Sequence, residues 1–234
     1  MALPFFYSEE ISTATKSYVL NEETSKHVVQ VLRMQNGEQL QIANGKGYLF
    51  TAEITDNHKN KCAVKIGAHS FTPAGGKNTT IAISLIKNAH RLEWFLEKAT
   101  EIGITEIIPI ICTRTEKQHF RTDRMKGILI SAMLQSQQSW LPILHEPTKF
   151  STVVKETKNT QKFIAHCEDD QPKTELYTRH PFKDAIILIG PEGDFTIDEI
   201  ELALQYNFEP AALGNTRLRT ETAALVAVTI MAAG

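Results

Sequence analysis

The chain opens with the two-residue alternation of strands and later changes to longer apolar stripes. In Gly37–Ile54, Leu40 and Ile42 alternate with Gln39 and Gln41, and Asn44-Gly45 supplies a turn into a second apolar stretch. Lys61–Phe71 adds another β-rich segment, so the first part of the chain is predicted to form a small β-barrel. Ser25–Met34 is the exception. There Val28, Val31 and Leu32 recur at i, i+3 and i+4, which predicts one short helix with Ser25 as its N-cap. Thr72–Thr80 then sets Pro73, Gly75 and Gly76 among polar residues and marks a domain boundary, giving residues 1–72 and 73–234.

Beyond that boundary strands and helices alternate, the pattern of an α/β domain with a largely parallel sheet. Thr79–Ile86, Glu106–Ile111, Lys162–His166, Ala185–Gly190 and Pro210–Gly214 read as strands. Arg91–Gly103 reads as a helix with Leu92, Phe95, Leu96 and Ala99 on one stripe and Gly103 ending it in a left-handed turn. A further helix is expected over about Thr122–Gln137, and a terminal one over Thr220–Ala233. The terminal helix is apolar almost all round, so it is either buried or covered by a partner. No internal repeat and no long low-complexity segment interrupts this order.

Composition narrows the class. With 234 residues, 42% of them hydrophobic and 22% charged, the chain can bury a large core. Met1-Ala2-Leu3-Pro4 lacks the basic flank of a secretory signal or transit peptide, and no apolar run is long enough to span a membrane. Cys62, Cys112 and Cys167 lie far apart, in neither a CxxC pair nor a disulfide framework, which points to reduced thiols in a cytoplasmic setting. A net charge of -2 argues against coating nucleic acid by bulk electrostatics but leaves room for a local basic face. Arg114, Lys117, His119, Arg121, Arg124 and Lys126 form one candidate, set against Glu116 and Asp123; a solvated surface has the same composition.

Two loops carry the candidate chemistry. Gly190-Pro191-Glu192-Gly193 and Leu213-Gly214-Asn215 both fall at the carboxyl ends of predicted strands, the edge where open α/β sheets bind ligands. Thr196 with Glu199 forms a capping box for the helix after the first loop, and Thr220 or Thr222 is placed to cap the terminal helix. Neither loop is GxGxxG or a Walker P-loop, so a dinucleotide or ATP phosphate is poorly supported. Tight turns that need glycine remain the bland alternative. His166–Asp170 gathers potential metal ligands but lacks the i, i+4 or CxxC spacing of zinc sites, so no metal is expected.

Leu188–Leu204 ("LIGPEGDFTIDEIELAL") followed by Leu213–Ala227 ("LGNTRLRTETAALVA") resembles the 16S ribosomal RNA (uracil-N3)-methyltransferase family of SPOUT, or trefoil-knot, methyltransferases. Val31–Leu40 resembles the family's N-terminal PUA-like barrel, and Arg91–Ile110 the start of its catalytic domain, so the resemblance covers essentially the whole chain. It implies an RNA-binding PUA-like β-barrel over 1–72 and a SPOUT methyltransferase domain over 73–234, with a deep C-terminal trefoil knot. That knot runs against the rule that chains are unknotted.

The resemblance further implies S-adenosyl-L-methionine as cofactor, bound by Ile189, Gly190, Pro191, Glu192, Gly193, Leu213, Gly214, Asn215, Arg217, Leu218, Thr220 and Ala223. It implies a homodimer with the site at its interface, and a 16S rRNA or small-ribosomal-subunit substrate. The sulfonium methyl is already activated, so the protein must position it, expose the base and deal with the weakly acidic N3 proton. Arg219 is the expected cation near the uracil carbonyls, with Glu221, or else Glu192, helping to remove the proton or orient the base. A salt bridge from Arg219 to either carboxylate is the structural alternative. RNA contacts are expected from Arg33, with His27 beside it, and from Arg114, Lys117, Arg121 and Arg124.

Three features depart from the family pattern. Gln135-Ser136-Gln137-Gln138 stands where relatives usually read Gln-Ser-Gly-Arg, Asp194 stands where a second glycine is common, and the chain ends close after its last helix. They bear on the substrate more than on the reaction type. The alternatives are a SAM-binding or inactive RNA-binding SPOUT protein acting on a different RNA, and an α/β enzyme that uses a nucleotide.

Overall fold

The computed structural model describes residues 3–168 and 172–232. The chain forms two compact units, one comprising the chain through Gly75 together with Met133–Leu141, the other Gly76–Ala132 together with the chain from Pro142.

In the first unit, β1 (Phe5–Tyr7), β2 (Ser17–Val19), β3 (Gln39–Ala43), β4 (Tyr48–Asp56) and β5 (Ala63–Phe71) form a five-stranded sheet in the order β1-β3-β4-β5-β2. β1 runs parallel to β3 and the other pairs are antiparallel. The edges meet through side chains, with Ser8 Oγ donating to the Tyr18 hydroxyl at 3.0 Å. Alternation places Leu40, Ile42, Phe50, Ala52, Ile54 and Val64 in one core. The Asn44-Gly45 turn forms as predicted: Asn44 Oδ1 accepts from the amides of Lys46 and Tyr48, and Gly45 takes φ 72°.

The short helix differs from the predicted one. It begins earlier, as α1 (Glu22–Lys26), with Asn21 as its N-cap: Asn21 Oδ1 accepts from Thr24 N at 2.8 Å. Ser25 is instead fully buried, donating to the Leu20 carbonyl and accepting from Cys62 N. A π turn over His27–Val31 follows, closed by the Leu32 amide on the His27 carbonyl. That wider turn shifts the stripe, so Val28 stays buried while Val31 and Leu32 face solvent, 67% and 41% exposed.

The second unit is built on an eight-stranded parallel sheet. Its strands are β6 (Asn78–Ser84), β7 (Glu106–Ile111), β8 (Ile143–Leu144), β9 (Thr148–Lys149), β10 (Gln161–Ala165), β11 (Thr174–Glu175), β12 (Asp184–Ile189) and β13 (Glu209–Ala212). The order is β11-β13-β10-β12-β6-β7-β8, with β9 also on β7. The central β6 and β12 are buried nearly throughout, as near-continuous apolar runs in a parallel sheet require. The helices are α2 (Ala89–Ile102), α3 (Thr122–Gln135, which belongs to this unit through Ala132), α4 (Phe150–Glu156), α5 (Ile197–Gln205) and α6 (Thr220–Ala232).

α2 buries Leu92, Phe95, Leu96 and Ala99 and ends at Gly103 with φ 94°, both as the sequence predicts. β8, β9 and α4 were not legible, because their segments are too short to set up a period. α6 packs on α2, β6 and β12, burying Ala224, Ala227, Val228 and Met231, while Leu225, Val226 and Ile230 are only half-buried. Its first helical bond runs from Ala223 N to the Arg219 carbonyl at 2.7 Å. Arg219 therefore occupies the cap position, and neither Thr220 nor Thr222 does.

Gln137 has φ 55°, in the left-handed region that costs a non-glycine residue about 1–2 kcal/mol.

Candidate functional site

The carboxyl ends of β10 and β12 and the loop between β13 and α6 converge on one cavity of about 360 Å³. Ala165, Cys167, Ile189, Gly190, Pro191, Glu192, Asp194, Arg217, Leu218, Arg219, Thr220 and Ala223 line it. It lies where an open α/β sheet binds ligands. Of the residues expected to hold a cofactor, Gly193, Leu213, Gly214 and Asn215 belong to the same loops but do not line the cavity.

The first loop is fixed from several sides. Asp194, with φ 64°, accepts from Cys167 N at 2.7 Å through one carboxylate oxygen and from Phe195 N at 2.8 Å through the other. Aspartate is among the residues that tolerate this left-handed backbone. Here its carboxylate also joins the loop to the end of β10. Phe195 is fully buried against Phe150, their ring centroids 5.1 Å apart, and closes on Gly190, where a Cβ would come within 3.2 Å of its ring. Glu192 Oε1 accepts from Lys87 N at 3.0 Å, so that carboxylate ties the loop to the segment before α2.

Arg114 donates to the carbonyls of Gly193 at 2.6 Å and Phe195 at 3.2 Å, serving the loop from the side of β7. The capping box is complete: Thr196 Oγ1 accepts from Glu199 N, and Glu199 Oε2 accepts from Thr196 N. Glu199 is buried, and its other oxygen accepts from Thr113 N at 2.8 Å and Thr113 Oγ1 at 3.1 Å. The motif therefore does more than start a helix, because it also anchors the chain that presents Arg114.

Arg219 lines the cavity, is exposed, and has no carboxylate partner among the described residues. The alternative salt bridges to Glu221 and Glu192 are thus not formed. Glu221 is buried; its Oε1 lies 3.6 Å from Arg91 Nε and its Oε2 has no hydrogen-bond partner among the described residues. Glu221 is not among the residues that line the cavity, whereas Glu192 is.

The basic segment divides. Arg114 serves the loop, and Arg124 makes a two-point contact with Glu93 at 2.6 and 2.9 Å. Lys117, His119, Arg121 and Lys126 are exposed. Arg33, in the first unit, is exposed with φ 56°.

No motif marks Ala165; the family resemblance places the loop from His166 to Asp170, and with it Cys167, near the cofactor, and marks Asp194 only as a departure from glycine. Burial pushes the Cys167 thiol up, so it is protonated at neutral pH. Burial also holds the His166 imidazole below its ordinary value of 6.5, Lys173 adding to the effect while Asp194 and Glu168 oppose it. Both its ring nitrogens are buried without a hydrogen-bond partner among the described residues. The folded state thus prefers neutral His166. Its contribution to stability is complete above pH 6.5 and is lost as the pH falls from there toward the folded value. Thermal unfolding from about pH 7.5 to about pH 5 is expected to show a smaller acid-induced fall in Tm for His166→Asn than for the native chain. Equal falls would assign the acid sensitivity elsewhere.

Among the described residues, no group of three or more His, Cys, Asp or Glu is placed to hold a metal ion. Asp169 and Asp170 of the acidic stretch after Cys167 lie outside the described residues. No described helix is long and apolar enough to cross a membrane.

Comparison with known proteins adds two family matches, an RNA methyltransferase domain over residues 75–232 and an RNA methyltransferase PUA domain over residues 20–67. Ribosomal RNA small subunit methyltransferase E of Rickettsia conorii is 28% identical, over 95% of this chain and 92% of its own. A probable rRNA-methyltransferase from Porphyromonas gingivalis is 36% identical with a TM-score of 0.89, covering 97% of this chain and 95% of that one. The ribosomal RNA small subunit methyltransferase E of Neisseria gonorrhoeae, solved bound to S-adenosyl methionine, is 28% identical with a TM-score of 0.82, covering 97% and 95%.

Proposed function

The chain belongs to the RNA methyltransferase family, and from that premise we propose that it transfers a methyl group from S-adenosylmethionine to N3 of a uridine in 16S ribosomal RNA. One observation carries the reading: Gly190-Pro191-Glu192 and Arg217-Leu218-Arg219 meet in a single cavity at the carboxyl edge of the parallel sheet. The cavity's size suits a small cofactor, and Ile189, Leu218, Ala165 and Ala223 give it the apolar wall a purine ring needs. Arg217, Thr220 and the main chain of the first loop supply its polar rim.

S-adenosylmethionine supplies a methyl group already activated on a sulfonium. The chain's own residues hold the base, remove its proton and stabilise the charge. Arg219, which lines the cavity and has no carboxylate partner among the described residues, neutralises the uracil anion that forms as N3–H is lost. Glu192, the carboxylate that lines the cavity, accepts that proton at the oxygen not engaged by the Lys87 amide, while the buried Glu221 lies outside the lining with its Oε1 3.6 Å from Arg91.

The sheet of the first unit, Arg33, and the exposed Lys117 and Arg121 bind the RNA, with phosphate contacts setting register. The half-buried Leu225, Val226 and Ile230 of α6, with Trp94 of α2 44% exposed, form a homodimer contact, and the return of α6 across β12 and β6 forms the threaded end of the knot. The three free thiols fit a reducing cytoplasm, where the substrate is made.

The test is transfer of labelled methyl groups from S-adenosylmethionine to undermethylated small ribosomal subunits, followed by nucleoside analysis. N3-methyluridine as the labelled product is expected. Another methylated nucleoside would move the assignment to a different atom, and no transfer despite cofactor binding would move it to a different RNA.

A further inference from the structure

The first unit exposes a row of aromatic rings that no other feature of the site requires. His69, Tyr48, Phe71 and Trp140 touch in succession, their centroids 5.9, 4.7 and 6.3 Å apart. Phe71 is 50% exposed and Trp140 37%, large values for rings of this size.

The row is fixed in place. Trp140 Nε1 donates to the Thr72 carbonyl at 2.8 Å, Thr72 N donates to Gly47 at 2.9 Å, and Gly47 N donates to Ser139 at 2.9 Å. A Cβ on Gly47, which has φ 87°, would come within 2.7 Å of the Trp140 ring and the Thr72 carbonyl and 2.8 Å of Phe71. Glycine there lets both rings close over bare backbone. Lys46 forms an isolated antiparallel bridge with Trp140, is exposed, and has no carboxylate partner among the described residues.

We propose that this row, with Lys46 beside it, is a stacking platform for unpaired bases of the RNA substrate. The proposal rests on the RNA methyltransferase reading above. Rigid exposed rings with a free cation at one end match a nucleic-acid single strand, whose bases stack on the rings and whose phosphates meet the lysine. The exposed members of the row are aromatic rather than aliphatic, and their fixed geometry removes the entropy cost of ordering them on binding. The occupant is therefore RNA, read at unpaired bases and without demand for sequence, while the cavity of the second unit selects the reacting base.

The experiment uses the full-length protein with undermethylated small ribosomal subunits and, as a fluorescence probe, a single-stranded oligouridylate of about ten nucleotides. Phe71→Leu keeps an apolar side chain under the row, and Lys46→Gln tests the cation without touching a ring. Phe71→Leu is expected to raise KM for the subunit roughly tenfold, and Lys46→Gln a few fold, with kcat and cofactor affinity unchanged. The oligouridylate is expected to quench tryptophan emission of the native chain, less so at high salt, and not that of Trp140→Phe, where Trp94 is the remaining tryptophan.

KM within about twofold of the native value in Phe71→Leu, while the native enzyme methylates the subunit normally, would overturn the platform and leave the enzymatic reading standing. Loss of self-association in Phe71→Leu with KM unchanged would overturn it in favour of a contact between copies of the chain. Failure of the native protein to methylate any RNA would take down the enzymatic reading and this proposal with it.

Discussion

Replacing Arg219 with alanine is expected to lower the rate of methyl transfer about 10²- to 10³-fold at neutral pH while changing cofactor affinity far less. Arg219 lines the cavity, is exposed, and has no carboxylate partner among the described residues, so its charge is available to whatever negative charge develops beside it. On the proposed reaction that charge is the uracil anion, which exists along the reaction path and not in the bound ground state. The loss should therefore fall on kcat. The pH dependence has a definite sign. As the pH rises, more uracil loses its N3 proton without help from a cation, so the deficit of Arg219→Ala should narrow toward alkaline pH. Arg219→Lys should recover part of the rate, because it keeps the charge and loses the fork of donors. An increase in the cofactor Kd that accounts for the whole loss, with kcat intact, would make Arg219 a binding residue and sink the electrostatic role.

How far the sequence reached follows from what kind of pattern each feature leaves. β6, β12 and the buried stripe of α2 were legible because a long run at one period has one way to be buried. The shift at Val31 and Leu32 was not, since a π turn changes the rotation within a helix without changing the residues that write the pattern. In the site, the loops at Gly190 and Arg217 were found through motif resemblance, and their position at the carboxyl edge of the sheet is a physical reason for it. Asp194 shows the complementary limit. Its departure from glycine was visible in the sequence, but its carboxylate reaching Cys167 N joins residues 27 positions apart, which no local pattern records. Arg114 is the same case: its place in a basic run suggested RNA, whereas the fold gives it two carbonyls of the cavity loop.

Removing the Glu199 carboxylate should cost more stability than removing its capping partner Thr196, about 3 kcal/mol for Glu199→Ala. Four donors converge on this one buried group: the amide and hydroxyl of Thr196, and the amide and hydroxyl of Thr113. A capping residue alone is worth about 1 kcal/mol, which sets the expected loss for Thr196→Ala. The remainder comes from the amides of Thr196 and Thr113, which lose their acceptor in a partly buried setting where water replaces it poorly. Urea unfolding checks the order Glu199→Ala, then Thr196→Ala, then Glu199→Gln, whose amide still offers one acceptor. The functional consequence should be opposite in kind to that of Arg219. Thr113 precedes Arg114, whose guanidinium holds the Gly193 and Phe195 carbonyls, so the loop carrying Gly190 loosens when Glu199 is lost. Loosening adds an ordering cost to cofactor binding and touches no group that meets the transition state, so cofactor affinity should fall while kcat at saturation stays close to native. An equal loss of kcat at saturating cofactor would mean that the loop's anchoring and the chemistry are not separable, and that Glu199 shapes the reacting geometry as well as the pocket.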